Sequence, residues 1–118
     1  MATKAAQFWS DSSIAEKYLI AENATRPFAK DMVKSVGLDH LDGDAHVFDF
    51  ACGTGALTKE LYGLTPKEKW NNLKILGGDV SIPMLESLKE SGEKEGWTGL
   101  KTEVVDANVS DCSSFNLL

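Results

Sequence analysis

The chain has 118 residues, enough for one domain that buries roughly two thirds of the surface its unfolded form exposes. With 42% apolar and 25% charged residues and three prolines, its composition is that of a globular protein and argues against disorder or a fibrous class. Eighteen acidic against twelve basic residues give a formal charge of -6, which repels a phosphate backbone and argues against nucleic acid as a partner, while no apolar run approaches the length that argues for a membrane span.

The N-terminal stretch MATKAAQFWSD has neither the apolar core nor the basic lead of a secretion signal. Cys52 and Cys112 form neither a CxxC pair nor a disulfide framework, so a reducing, cytoplasmic setting is expected. His40 and His46 have no ligand spacing and no metal is expected. Lysines 67, 69, 74, 89 and 94 are interleaved with acids and read as a solvated surface.

In chain order, DSSIAEKYLIAEN predicts one helix, with Ile14 and Tyr18 four apart. RPFAKDMVKSVG predicts a second, with Phe28, Met32 and Val36 at the same spacing and Gly37 as its stop. Together residues 1–44 are expected to form a helical cap, ending in the loop DHLDGDA. HVFDFA then reads as a short strand of the kind buried in parallel sheets. TGALTKELYG predicts a helix through Leu57 and Leu61, TPKEKWNN a connection, and LKILGGDV a second strand. SIPMLESLKESGEKEG follows as a helix with Ser81 as N-cap, Pro83 in its first turn, and Leu85 and Leu88 on the inner side. LKTEVVDA is a third strand, and Phe115 to Leu118 open a fourth. Trp70 and Trp97 fall in connections and are expected as surface packing.

Strands alternating with helices give an α/β class: a partial Rossmann-like fold with a parallel sheet of three to four strands, right-handed crossovers, and ligands beyond the carboxyl ends of the strands. Residues 45–118 would be half of such a domain and not a finished doubly wound sheet.

The most pointed stretch is VFDFACGTGALT, residues 47 to 58. Small residues after a strand let the backbone approach a ligand, and the following helix presents free amides and partial positive charge. Gly53, Gly55 and Thr58 lack the third glycine of a dinucleotide fingerprint. Asp49, four residues before Gly53, adds a negative charge that a pyrophosphate would oppose and a cation would favour. A nicotinamide-dependent oxidoreductase is therefore the weaker alternative.

The run from Asp49 to Gly55, DFACGTG, resembles the glycine-rich motif of class I S-adenosylmethionine-dependent methyltransferases. GGDVSIPML is similar to that family's ribose-binding turn, and VVDAN, 104 to 108, to its adenine-binding turn, so three motifs stand in order at three strand ends. The resemblance implies S-adenosyl-L-methionine as cofactor. It implies Asp49 and the backbone of Ala51, Cys52, Gly53 and Gly55 at the methionine end, Asp79 on the ribose hydroxyls, Val80 and Met84 against the base, and Asp106 and Ala107 at the adenine edge. The lead-in FWSDSSIAEKY resembles that of the small-molecule enzymes of the family, which implies first helices lying over the cofactor and Tyr18 closing the methionine pocket.

The family's first glycine is Ala51 here, and its methyl group predicts ordinary strand geometry at that position. Cys52 is expected to pack beside the ligand and not to act as a nucleophile, since no histidine is near it in sequence. Taken singly, Asp49 is also explained as a strand-end cap, Asp79 and Asp106 as turn acids, and Phe8, Trp9 and Tyr18 as packing of the cap.

Two functions follow from the resemblance. One is methyl transfer to a small-molecule acceptor, with this chain supplying the cofactor-binding half; no residue stands out as a catalytic base. The other is a cofactor-binding or assembly module without its own acceptor site. Either way the first strand, central in the complete fold, would have an apolar edge calling for a homodimer, a domain swap or a partner chain.

Overall fold

The computed structural model describes residues 4–38 and 44–105. Helix α1 (Lys4–Trp9) leads into the long α2 (Ser12–Ser35), followed by β1 (Ala45–Phe50), α3 (Ala56–Leu64), a 3-10 turn at Lys67–Asn72, β2 (Leu73–Asp79), α4 (Ile82–Glu95) and β3 (Leu100–Val104). The three strands form one parallel sheet in the order β1-β2-β3. Register is continuous: Ala45 lies opposite Leu73 and Phe50 opposite Gly78, while Ile75 lies opposite Leu100 and Asp79 opposite Val104. The α/β class and the three strands agree with the sequence pattern. The fourth strand expected at Phe115 to Leu118 lies outside the described residues.

The two helices expected in the first third are one. Asp11 caps α2 by accepting from the Ser13 amide at 2.8 Å and the Ser13 hydroxyl at 2.8 Å, and these bonds hold its carboxyl below the usual range. The helix then runs through Pro27 to a left-handed Gly37. Proline removes one internal hydrogen bond. Packing on both sides of it keeps the helix continuous: Glu22 and Arg26 bond to α3, and Val33 is fully buried in the core. The buried face is that of Ala15, Glu22 and Val33; Phe28, Met32 and Val36, whose spacing suggested the helix, face outward.

The core lies between the sheet and helices α2 to α4 and is built from Val33, Leu61, Tyr62, Leu73, Ile75, Leu85 and Leu88. Trp97 belongs to it, contrary to the expectation of surface packing. It is 8% exposed, and its ring stacks on Tyr62 at 4.6 Å and 3°. Trp70 is half-buried and meets Tyr62 edge-on at 5.5 Å, donating its indole N–H to the carbonyls of Tyr62 and Thr65. These rings sit at the amino end of the sheet, where the Tyr62 hydroxyl reaches the Leu73 carbonyl at 3.5 Å. The connection TPKEKWNN is thus a 3-10 turn with an aromatic anchor.

Ser81 caps α4 as expected, accepting from the Met84 amide at 3.3 Å, with Pro83 in the first turn and Leu85 and Leu88 buried inward. Among the described residues, no helix is long and apolar enough to cross a membrane.

Candidate functional site

At the carboxyl end of the sheet the chain has five residues in which to leave β1 and enter α3. Cys52 extends the ladder by donating its amide to the Gly78 carbonyl at 3.0 Å, and Gly55 closes the turn by donating to the Cys52 carbonyl at 2.9 Å. To meet both bonds the backbone turns left-handed at Ala51, Gly53 and Gly55, with φ of 57°, 58° and 94°. Ordinary strand geometry at Ala51 is therefore overturned: closure of the turn outweighs the preference of a residue with a Cβ. The strain for such a residue is about 1–2 kcal/mol.

Gly55 is also the N-cap of α3, where no side chain supplies a capping bond. Of the first-turn amides of α3, that of Thr58 faces the Asp49 carboxylate. A Cβ on Gly55 would run into the Leu88 side chain, and one on Gly77 would come within 3.0 Å of Leu88 and 3.2 Å of the Cys52 sulfur. The small residues thus allow α3 and α4 to start close against the strands.

Two acids stand at neighbouring tips. Asp79, half-buried at the end of β2, accepts the Gly53 amide on Oδ2 at 2.8 Å and the Ser81 amide on Oδ1 at 2.9 Å. It ties the glycine turn after β1 to the cap of α4. Asp49 is only 7% exposed and accepts the Thr58 hydroxyl at 2.7 Å. Burial raises its carboxyl above the usual range; the Thr58 bond works against that shift, and the charge of Asp79 adds to it. Burial also pushes the Cys52 thiol far up, reinforced by Asp49 and Asp79. A thiol so held is a packing group and not a nucleophile.

Of the positions singled out from the sequence, Asp49, Ala51, Cys52, Gly53, Gly55, Asp79, Val80 and Met84 come together at this end. Met84 is buried, and its sulfur lies 3.7 Å from where a Cβ on Gly53 would be. Tyr18 is 48% exposed, and its ring meets Trp9 edge-on at 5.3 Å. Asp106 and Ala107 lie outside the described residues.

Sequence reasoning missed three side chains behind the turn. Thr54, in its middle, donates to Glu22 at 3.0 Å, and Glu22 in turn receives the Lys59 ammonium at 2.7 and 2.8 Å. A signal was present: Glu22 is seven residues from both Ala15 and Ala29, an acid on the inward line of a helix. Cavity size is not a guide here. A groove of about 520 Å³, walled by Gly92, Trp97, Leu100 and Lys101, lies at the other end of β3. Among the described residues no group of three potential ligands is placed to hold a metal ion.

No family model matches the chain. The methyltransferase ktnA of Aspergillus niger is 36% identical over 94 residues, which make up 79% of this chain and 31% of that protein. The acetylaranotin bis-thiomethyltransferase of Aspergillus terreus is 29% identical over 94 residues, 79% of this chain and 34% of that one. Among solved structures, coclaurine N-methyltransferase bound to N-methylheliamine and SAH is similar in fold, with a TM-score of 0.55 at 18% identity over 79% of this chain and 24% of the other. The chain therefore spans about a third of the length of these curated relatives. By sequence this segment is similar to curated methyltransferases, and its fold is that of the solved methyltransferase.

Proposed function

We propose that residues 45–118 form the cofactor-binding half of a methyltransferase that uses S-adenosyl-L-methionine to methylate a small molecule, with residues 1–44 as its helical cap. The observation that carries this is the junction at the strand tips: a left-handed turn of small residues, an uncapped helix start, a buried acid on one side and a half-buried acid on the other. The small-molecule acceptor is supported by the relatives, one of which is named for acetylaranotin and one of which was solved with N-methylheliamine.

The residues fit the cofactor. A carboxylate offers about four acceptor sites, and the two amides on Asp79 occupy two of them, which leaves capacity for a pair of ribose hydroxyls. Asp49 places negative charge behind the turn, suited to a ligand bearing a sulfonium and an ammonium, while the α3 amides suit its carboxylate. Val80 and Met84 supply apolar surface for the base, with Asp106 and Ala107 at its edge. Tyr18 is assigned to the lid of the methionine pocket. When bound, the cofactor supplies an electrophilic methyl group for an oxygen, nitrogen or carbon nucleophile. The chain's own share of catalysis is orientation, since holding the methyl in near-attack geometry lowers the barrier without a covalent intermediate.

Titration calorimetry on Asp79→Ala tests the site. Loss of a charged acceptor should weaken cofactor binding by roughly 1.5–3 kcal/mol, about ten- to a hundredfold. Unchanged affinity would remove Asp79 from the ribose.

A second function, a cofactor-binding or assembly module, draws on the position of β1. Among the described strands it is at the edge of the sheet, with Phe50 52% exposed. A homodimer, a domain swap or a partner chain would cover that edge, and a cytoplasmic location fits the unpaired thiol chemistry. Binding without methyl transfer to any of a panel of acceptors, together with a dimeric mass in sedimentation, would favour it.

A further inference from the structure

Glu22 differs from the other acids of α2. It is 7% exposed, and its carboxylate is shared between two elements: the Lys59 ammonium of α3 bonds both oxygens, at 2.7 and 2.8 Å, and the Thr54 hydroxyl bonds Oε1 at 3.0 Å. Thr54 is itself buried and lies between the two left-handed glycines of the turn. Its neighbour Gly53 donates its amide to Asp79 on the opposite side. Residues 53 and 54 are thus held from two directions, by Asp79 at the sheet tip and by Glu22 in the cap helix. The second contact between α2 and α3, Arg26 to Glu60 at 2.7 Å, is more exposed and involves no residue of the turn.

A left-handed segment has ordinary competitors a few kcal/mol away and persists only where its surroundings over-determine it. Asp79 fixes the Gly53 amide, and the neighbouring residue needs its own tether if the α3 start is to stay aimed at the tips. We propose that Glu22 is a positioning residue for the cofactor turn: through the Thr54 hydroxyl it couples the cap helix to the affinity of the site, a role that rests on the cofactor-binding function proposed above. The Lys59 ammonium neutralises Glu22 in its buried setting and keeps it available as an acceptor.

S-adenosylhomocysteine binding to the full chain, measured by calorimetry beside thermal unfolding and amide hydrogen exchange, tests the assignment. Thr54→Val removes the hydroxyl at nearly constant shape and should weaken binding roughly three- to tenfold, with faster exchange at Gly53 to Gly55. Thr54→Ser keeps the hydroxyl and should bind like the wild type. Glu22→Gln combined with Thr54→Val should weaken binding less than the sum of the two single effects, because both remove the same bond. Arg26→Gln breaks the other contact between the two helices and should change the melting temperature while leaving affinity alone. If the wild type binds and Thr54→Val binds equally well, the positioning role falls while the proposed function stands. If Arg26→Gln weakens binding as much as Thr54→Val, the effect is general loosening of α2 and the role falls as well. A wild-type chain that fails to bind overturns both.

Discussion

The two ends of this sheet are built from different materials. The amino end is packed with large rings: Tyr62 and Trp97 stacked, Trp70 edge-on to both, all within or against the core. The carboxyl end has residues with little or no side chain, a backbone turned left-handed three times in five residues, and two acids close enough for one to shift the titration of the other. Rings at one end supply dispersion and area burial, which stabilise without regard to any ligand. Strain and buried charge at the other end oppose folding, and persist because hydrogen bonds to Asp79, Thr58 and Glu22 hold them in place. Stability and the cofactor binding proposed for the carboxyl end should therefore be separable by position.

Substitutions at the two ends should move different observables. The largest effect is expected for Tyr62→Ala, which removes a fully buried ring from the stack and should cost about 3–5 kcal/mol of stability in denaturant unfolding. Whatever fraction remains folded should bind cofactor normally; a matching loss of affinity would show that the two ends are coupled.

Next is Asp49→Asn, whose two effects have opposite signs. Cofactor affinity should fall by about tenfold, as for loss of one charge-assisted interaction. Stability at neutral pH should rise. The folded carboxyl titrates above its unfolded value of 3.8, so the native state takes up the proton more readily. Its contribution is favourable below the unfolded value and is lost as pH rises through the folded one. The stability advantage of asparagine should accordingly shrink as pH falls toward 4. A variant less stable than wild type at pH 7 would contradict the burial argument.

The smallest effect is expected for Ala51→Gly. Relief of left-handed strain, about 1–2 kcal/mol, is partly offset by the added freedom of glycine in the unfolded chain. A net gain on the order of 0.5–1 kcal/mol should appear as a modest rise in melting temperature. No gain would mean that the alanine conformer costs less than its φ implies.

Much of this was legible in the sequence. Strand tips, helix starts and the Ser81 cap follow from local chemistry, in which a residue's own type decides its geometry. Contributions requiring two distant segments were not legible. Ala51 was misread because its preferred φ is a local property, whereas the turn is fixed by bonds that Cys52 makes to Gly78 and Gly55 makes to Cys52. The two helices read in the first third are one because contacts to α3 on either side of Pro27 hold it together, and Trp97 looked like a connection residue until Tyr62 came to lie against its face. Glu22 acquires its role only when α2 lies across α3, which brings together residues 32 and 37 positions apart.

The ring cluster has a practical consequence for spectroscopy. The chain has three tryptophans: Trp70 and Trp97 sit at the amino end, and Trp9 is paired with Tyr18 near the start of α2. Intrinsic emission thus reports melting of the packed end, where energy transfer and quenching among stacked chromophores should change abruptly. Trp70 and Trp97 lie at the end away from the strand tips, so following occupancy there optically falls to the pair of Trp9 and Tyr18, through the lid role proposed for Tyr18, or to a probe placed there deliberately.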